Sequence, residues 1–446
     1  SDLRDVATRL LRNIEAAAVR DGEMPSGPYI LAARKLTTAD MFNLDNEQVE
    51  GIVAEEGGMS SHAAILARSM GIPTLTGIRD LSKLLRDGDL VVLDATDGEL
   101  ITSPSDTILA EATTSAQRWR ESQSTAAAPS GDGDGYRTRD GSAVRILGSC
   151  GSAGEADLAR TFGMQGVGVY RTELQFLAED HEPGEDELVQ CYRDVISAQQ
   201  GQPVSFRLLD VQASTLQLTS QQKERNPAMG RRGVRGLLSN QQVMRRQLRA
   251  ILRAAADAKD VAVLAPFVTS VSDLQRVKAA LLEERVALMK AKVPCAADVA
   301  LAPIIEVPAA AMSIGPLLND SDFAVVAIDD LQAHLLAADR DNAAVRDYYE
   351  MVHPAVFETL QRMVREADRK QKSLVLFGES AADPQRVPFY IGVGYRSFSI
   401  APVRLRGVLK VLSRYSVDEC RRIAARMLEA PRTLDVQRVL VNLDLE

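Results

Sequence analysis

Cysteine is sparse in this chain. Only Cys150, Cys191, Cys295 and Cys420 occur, and no two make a CxxC spacing. That argues against a disulfide framework and against a zinc site, and it makes a reducing cytoplasm the default compartment. No uninterrupted apolar run approaches the ~18 residues a membrane span needs, so no membrane span is expected. No positively charged leader followed by an apolar core opens the chain, so no secretion signal is read. An excess of basic residues is missing too: the formal charge is −9, which argues against general nucleic-acid binding and suits a soluble enzyme. Aromatics are few, at 4%. What is present is length, for 446 residues exceed one hydrophobic core and suggest two to four domains.

One stretch stands out: Gly57-Gly58-Met59-Ser60-Ser61-His62-Ala63-Ala64-Ile65-Leu66-Ala67-Arg68. It sets a histidine at the mouth of a helix, behind a glycine pair and two hydroxyls. Ser60 or Ser61 can cap that helix, because a side-chain oxygen accepts an otherwise unpaired backbone N–H. The free N–H groups and the positive end of the macrodipole favour an anion beside them. His62 is thus a candidate phosphate acceptor, its phosphoimidazole steadied by Ser61. Spacing alone equally describes a surface histidine in a helix first turn.

The pattern divides the chain in four. Residues 1–25 carry an amphipathic helix with Leu3, Val6, Leu10, Leu11 and Ile14 on one side. Residues 26–104 alternate short strands with helices, from Tyr29–Ala33 and Val49–Ala54 to Leu90–Asp94 and Glu99–Thr102, where Asp97-Gly98 makes a tight hairpin turn. Residues 105–140 hold a polar helix, then the small-residue segment 126–135, read as a flexible hinge. From 141 to 446 the texture is βα repetition. Its strands are expected at Val144–Cys150, Gly166–Glu173, Val204–Asp210, Val261–Phe267, Val299–Val307, Phe323–Asp330, Ser373–Glu379 and Ser397–Pro402. The fold class is therefore α/β: a small β/α domain followed by a (β/α)8 barrel of TIM type, about 290 residues long. An open doubly wound sheet is the alternative.

Charges recur where these strands end: Arg171 and Glu173, Arg207 and Asp210, Glu306, Asp329 and Asp330, Glu379. Barrel active sites are built at the C-terminal strand ends, and ions placed there must be paired or solvated. Together they describe a site for a polyanion and a metal.

The segment from Gly57 through Ser69-Met70-Gly71-Ile72-Pro73-Thr74-Leu75-Thr76-Gly77 resembles the phosphohistidine signature of the phosphoenolpyruvate-utilising enzymes. Further motifs narrow the resemblance to enzyme I of the bacterial phosphotransferase systems, the phosphoenolpyruvate–protein phosphotransferases. They are Gly166-Val167-Gly168-Val169-Tyr170-Arg171-Thr172-Glu173, Asn226-Pro227-Ala228-Met229-Gly230-Arg231-Arg232, Ile305-Glu306-Val307-Pro308-Ala309-Ala310 and Ala338-Asp339-Arg340-Asp341-Asn342. The resemblance implies that Arg171, Arg207, Arg232 and Arg340 bind phosphoenolpyruvate, with guanidinium forks matching phosphate and carboxylate. It implies Mg2+ held by Glu306 and Asp330, a usual arrangement when substrate oxygens complete the shell. Asp329 falls among the substrate-contacting positions. His62 is implied as the nucleophile, swinging in on a mobile domain. A small phosphocarrier protein as partner and a homodimer through the barrel are implied as well. Val393 to Leu412, with Tyr395, Phe398, Ile400 and Val403, offers apolar surface for such a dimer, or else finishes the barrel core.

Three departures from the family accompany this. The cysteine that protonates enolpyruvate is replaced by Phe377, in Leu376-Phe377-Gly378-Glu379, and no other cysteine sits in a motif that obviously substitutes. The loop Val211-Gln212-Ala213-Ser214-Thr215 lacks the family lysine. Asp329 replaces an asparagine, and a carboxylate about 4 Å from phosphate costs about 4 kcal/mol at an effective dielectric of about 20 unless metal offsets it. The phosphocarrier-binding helices are also absent, apart from the helix of residues 1–25. Three functions follow as expectations. The first is a phosphoenolpyruvate-dependent protein-histidine phosphotransferase with a divergent site. The second is a pseudoenzyme that senses phosphoenolpyruvate and Mg2+. The third is an enzyme of altered phosphoenolpyruvate or pyruvate chemistry.

Overall fold

A computed structural model describes residues 27–35, 48–56, 67, 72–95, 98–124, 135–177, 182–211, 224–340, 342–441 and 443. The expected helix of residues 1–25, residues 57–66 with His62, residues 126–134 of the expected hinge, and loop residues 212–215 with Thr215 lie outside these. The chain divides into two compact units, Ser1–Thr113 and Thr114–Glu446.

In the first unit, β1 (Tyr29–Lys35), β2 (Val49–Glu56) and β3 (Thr74–Thr76) form a parallel sheet in that order. β4 (Val91–Asp94) and β5 (Glu99–Thr102) pair antiparallel, Leu93 opposite Leu100. Val53, Leu75 and Leu81 form the buried centre. Gly51 explains how closely the layers approach, because a Cβ there would lie 2.5 Å from Leu93 Cδ2. His62 belongs to the connection between β2 and β3, and that connection ends tied to the sheet where Ile52 N–H donates to the Pro73 carbonyl at 2.8 Å.

The helix Asp106–Ser124 follows. In the second unit β6 (Tyr136–Arg137) pairs antiparallel with β7 (Ala143–Cys150). The remaining strands are β8 (Val167–Tyr170), β9 (Val204–Arg207), β10 (Val261–Ala265), β11 (Ala300–Ile305), β12 (Ala324–Ala327), β13 (Leu374–Phe377) and β14 (Ser397–Ile400). Each of β7 to β14 runs parallel to the next, and β14 pairs with β7, which closes the barrel. Closure leaves two apolar layers, because side chains alternate in and out along each strand. Leu147, Val169, Leu264, Ala302, Ile304, Val325, Ala327 and Val375 fill the lumen. Val263, Val326 and Leu376 face the surrounding helices. Gly168 is required by the fit inside: a Cβ there would fall 2.7 Å from Ser399 and 2.9 Å from Leu147.

All eight expected barrel strands are present; β7 ends at Cys150 as expected, and the other seven stop earlier at the mouth. The sequence carries β12 through Asp330, whereas the strand stops at Ala327 and Asp329 and Asp330 lie in the first turn of the helix Ile328–Leu336. Likewise Glu173 begins the helix Glu173–Leu177. At β12 the apolar Ile328 carries the run into the helix, so hydropathy cannot mark the point where ladder pairing ends. Tyr395, Phe398 and Ile400 are buried in the outer core, so they finish the barrel and offer no surface for a dimer.

Candidate active site

The strand ends assemble a ring of arginines, each anchored on an acid. Arg171 follows β8, its N–H donating to the Cys150 carbonyl at 2.7 Å. Its guanidinium lies 3.5 Å from Glu155 Oε2. Glu155 sits in the first turn of the helix Ala153–Thr161, capped by Ser152, and also accepts the Gly151 N–H at 2.8 Å. Arg207 ends β9 and grips Glu173 through Nε to Oε1 and Nη2 to Oε2, both at 2.9 Å. Arg232 grips Asp210 the same way, Nε to Oδ1 at 3.1 Å and Nη2 to Oδ2 at 2.6 Å. Arg340 approaches Asp330 Oδ1 at 3.6 Å. Burial works against the charged forms of Arg207 and Arg232, but Glu173 beside the first and Asp210 beside the second outweigh it and hold both pKa values above the ordinary range. Burial also works against the Asp210 carboxylate, yet Arg232 opposite it keeps it below its usual range.

A buried amide locks the frame. Gln247, fully inaccessible, accepts the Leu209 N–H at 2.9 Å and donates to Thr172 Oγ1 at 3.0 Å and Tyr192 Oη at 3.1 Å. Thr172 in turn donates to the Arg207 carbonyl at 2.9 Å. The ends of β8 and β9 are thereby held in register.

Glu306, directly after β11, is 1% exposed. Its Oε1 accepts the Phe267 N–H at 3.0 Å, while Oε2 is buried without a hydrogen-bond partner, 3.8 Å from Arg232 Nη2. Burial first, then the charges of Asp210 and Asp330, push its carboxyl up to about 8, against the pull of Arg232 and Arg207. A buried orphan acceptor facing a second carboxylate suits a hard cation, which satisfies the oxygen and removes the repulsion. No three or more Asp, Glu, His or Cys side chains gather to hold a metal among the described residues.

Asp329, the remaining expected site residue, bonds to backbone. Its Oδ2 accepts the Glu379 N–H at 2.6 Å and its Oδ1 the Ser380 N–H at 3.2 Å. It clasps the turn after β13. Gly378 makes this possible: its φ is +131°, and a Cβ would stand 2.3 Å from Asp329 Oδ2. Phe377 ends β13 half-buried, packed against the lumen cluster, with the Arg207 guanidinium 6.0 Å from its ring centroid. Cys150 does end a strand, but its side chain packs in the outer core with Ala156 and Ala159, where burial pushes the thiol far up. It is turned away from the lumen.

The structure therefore brings together Arg171, Arg207, Arg232, Glu306, Asp329, Asp330 and Arg340 at one end of the barrel, while His62 lies outside the described residues. Glu155, Gln247 and Phe267 were not singled out from sequence. Nothing in the sequence marks Gln247 or Phe267, whereas Glu155, three residues after a capping serine, carries a readable helix-start pattern.

These observations define a class first: a (β/α)8 barrel whose mouth is built for a small polyanion. Residues 133–417 match the PEP-binding domain of the PEP-utilising enzymes, and residues 25–98 match their mobile domain. The chain belongs to the PEP-utilising enzymes. It is 30% identical over 432 residues to the phosphoenolpyruvate-protein phosphotransferase of Geobacillus stearothermophilus, covering 96% of this chain and 74% of the relative. The proteins of the same name from Staphylococcus aureus (strain MSSA476) and Bacillus subtilis (strain 168) are each 28% identical, over 99% and 98% of this chain and 77% and 76% of theirs.

Proposed function

We propose that this chain is a phosphoenolpyruvate-dependent protein-histidine phosphotransferase of the enzyme I type, with His62 as the residue that takes the phosphate. The observation that carries the reading is the ring of acid-anchored arginines around the orphaned Glu306 oxygen. Arg207 and Arg232 spend the Nε and Nη2 edge on their acids, which leaves Nη1 for substrate oxygens. Fixed guanidinium charge suits a loose phosphoryl transition state, where catalysis is mostly positioning and neutralisation. Glu306 and Asp330 would hold Mg2+, which when bound neutralises phosphoryl and carboxylate oxygens. A neutral imidazole nitrogen of His62 then attacks phosphorus, an N–P bond forms, the P–O bond to the enol breaks, and enolpyruvate leaves. Its C3 takes a proton to give pyruvate. A small phosphocarrier protein is the onward acceptor in this reading, and a cytoplasmic location fits four free cysteines. A homodimer through the barrel belongs to the same proposal, and sedimentation as a monomer at micromolar concentration contradicts it.

Phe377 supports a second reading. A benzyl group donates no proton, so recognition without turnover, as in a phosphoenolpyruvate- and Mg2+-sensing pseudoenzyme, is the rival. The test is incubation with radiolabelled phosphoenolpyruvate and Mg2+. Phosphotransfer requires acid-labile label on the parent protein and none on His62→Ala. Binding of phosphoenolpyruvate without label leaves the sensing role in its place.

A further inference from the structure

We propose that Phe267 is a positioning residue of the phosphoenolpyruvate site, its ring fixing the Arg232 guanidinium and its backbone amide fixing Glu306. The inference rests on the phosphoenolpyruvate reading of this site and adds a residue to it.

The backbone is the first sign. Phe267 has φ +58°, and of the eight described non-glycine residues with positive φ it is the one aromatic. Asn, Asp and His are enriched in this region, whereas a bulky side chain there is an outlier that persists only where its surroundings over-determine it. Phe267 is also 1% exposed, so no solvent-facing turn explains it. The surroundings do. In this conformation its N–H donates to Glu306 Oε1 at 3.0 Å, which leaves Oε2 as the free oxygen. Gly233 (φ +50°) packs against it so closely that a Cβ would stand 2.6 Å from Phe267 Cβ. The Val234 N–H donates to the Pro266 carbonyl at 2.9 Å.

The ring is the second sign. The Arg232 guanidinium carbon lies 4.8 Å and that of Arg235 4.7 Å from its centroid, both within the range where an aromatic face attracts a cation. His334 meets it edge-on at 5.5 Å, its Nδ1 2.8 Å from the Glu306 carbonyl oxygen. Asp210 therefore fixes Arg232 in the guanidinium plane and Phe267 fixes it face-on, so the Nη1 edge has one direction left. Two like charges thus share one ring. Arg235 is held on its other side by the Met229 carbonyl and Thr269 Oγ1. One residue thus sets the orientation of a substrate arginine and of a metal-side carboxylate.

The test replaces Phe267 with 3,4,5-trifluorophenylalanine, which keeps the shape of the ring and removes its negative face. Phosphoenolpyruvate binding is measured by calorimetry in Mg2+ buffer, and Mn2+ binding without phosphoenolpyruvate by electron paramagnetic resonance. The fluorinated protein should melt like the parent and bind Mn2+ equally, because the Phe267 N–H is unchanged. Its phosphoenolpyruvate Kd should rise about 5- to 30-fold. Phe267→Leu, keeping apolar bulk without a π face, should move the Kd in the same direction. A fluorinated protein whose Kd stays within twofold of the parent overturns the role of Phe267 alone. A parent that binds no phosphoenolpyruvate overturns the reading of the site and this inference with it.

Discussion

Arg207 and Arg232 use the same side-on edge toward their acids, and that geometry decides what a substitution does. Lysine keeps the charge but has no planar fork, so it cannot meet both oxygens of Glu173 or Asp210 and still reach outward. Arg207→Lys or Arg232→Lys should each slow labelling by phosphoenolpyruvate about 10- to 100-fold, the loss of a charge-assisted bond; a change under threefold contradicts the assignment. Enol protonation without a positioned acid loses about 10²–10⁴-fold, so Phe377→Cys should raise pyruvate formation, and adding Thr215→Lys should raise it further. Label absent from parent and both variants, alongside phosphoenolpyruvate binding, ends the case for phosphotransfer. Asp329 illustrates what residue identity cannot reveal. Its sequence position suggests a carboxylate at the substrate, and the structure adds that the Glu379 and Ser380 amides bond to its two oxygens. Burial raises the Asp329 carboxyl above its ordinary range, so the cost of Asp329→Asn lies in the lost acceptor: one oxygen remains for two amides, and about 1–2 kcal/mol should be lost in urea unfolding.

At the scale of elements, what was legible followed from pattern. Eight strand cores were readable because each is a short apolar run with room for a helix after it. Where β12 gives way to its helix was not, since Ile328 is as apolar as the strand and only backbone pairing distinguishes them. The arginine and acid positions were legible as charges at strand ends, but which acid serves which arginine depends on register and rotamer. The capping of the helix Val417–Glu429 lends itself to a pH test. Ser416 accepts the Glu419 N–H, Glu419 accepts the Ser416 N–H and hydroxyl, and Arg139 pairs with Glu419 at 2.7 Å. The Ser416 backbone and hydroxyl, then Arg139, lower the Glu419 carboxyl from 4.5 to about 2. A folded-state pKa depressed in this way stabilises fully above the unfolded value and is lost as pH falls through the folded one. The stability difference between parent and Glu419→Gln should hold from pH 7 to about 5 and shrink below 4.5 toward 2. Urea unfolding at each pH measures it, and a pH-independent difference contradicts the cap. Ser416→Ala should cost about 1 kcal/mol.

At the scale of the molecule, the barrel closes its own sheet and needs no strand from the first unit. Proteinase K at low dose should cut first between Ser124 and Gly135, where small residues and Asp-Gly pairs concentrate. The released piece beginning near Tyr136 should keep a single cooperative melt; first cleavage within the barrel loops contradicts this. Closure also has a consequence in time. The seam is made by β14 on β7, and Ser399 Oγ donates to the Gly148 carbonyl at 3.1 Å across 251 positions of sequence. A ribosome adding about 5–20 residues per second therefore releases β7 roughly 10–50 s before the strand that will complete it. Through that interval the nascent barrel has an open lengthwise edge, so the burden on chaperones falls on the newest chains, before the enzyme has ever met a substrate.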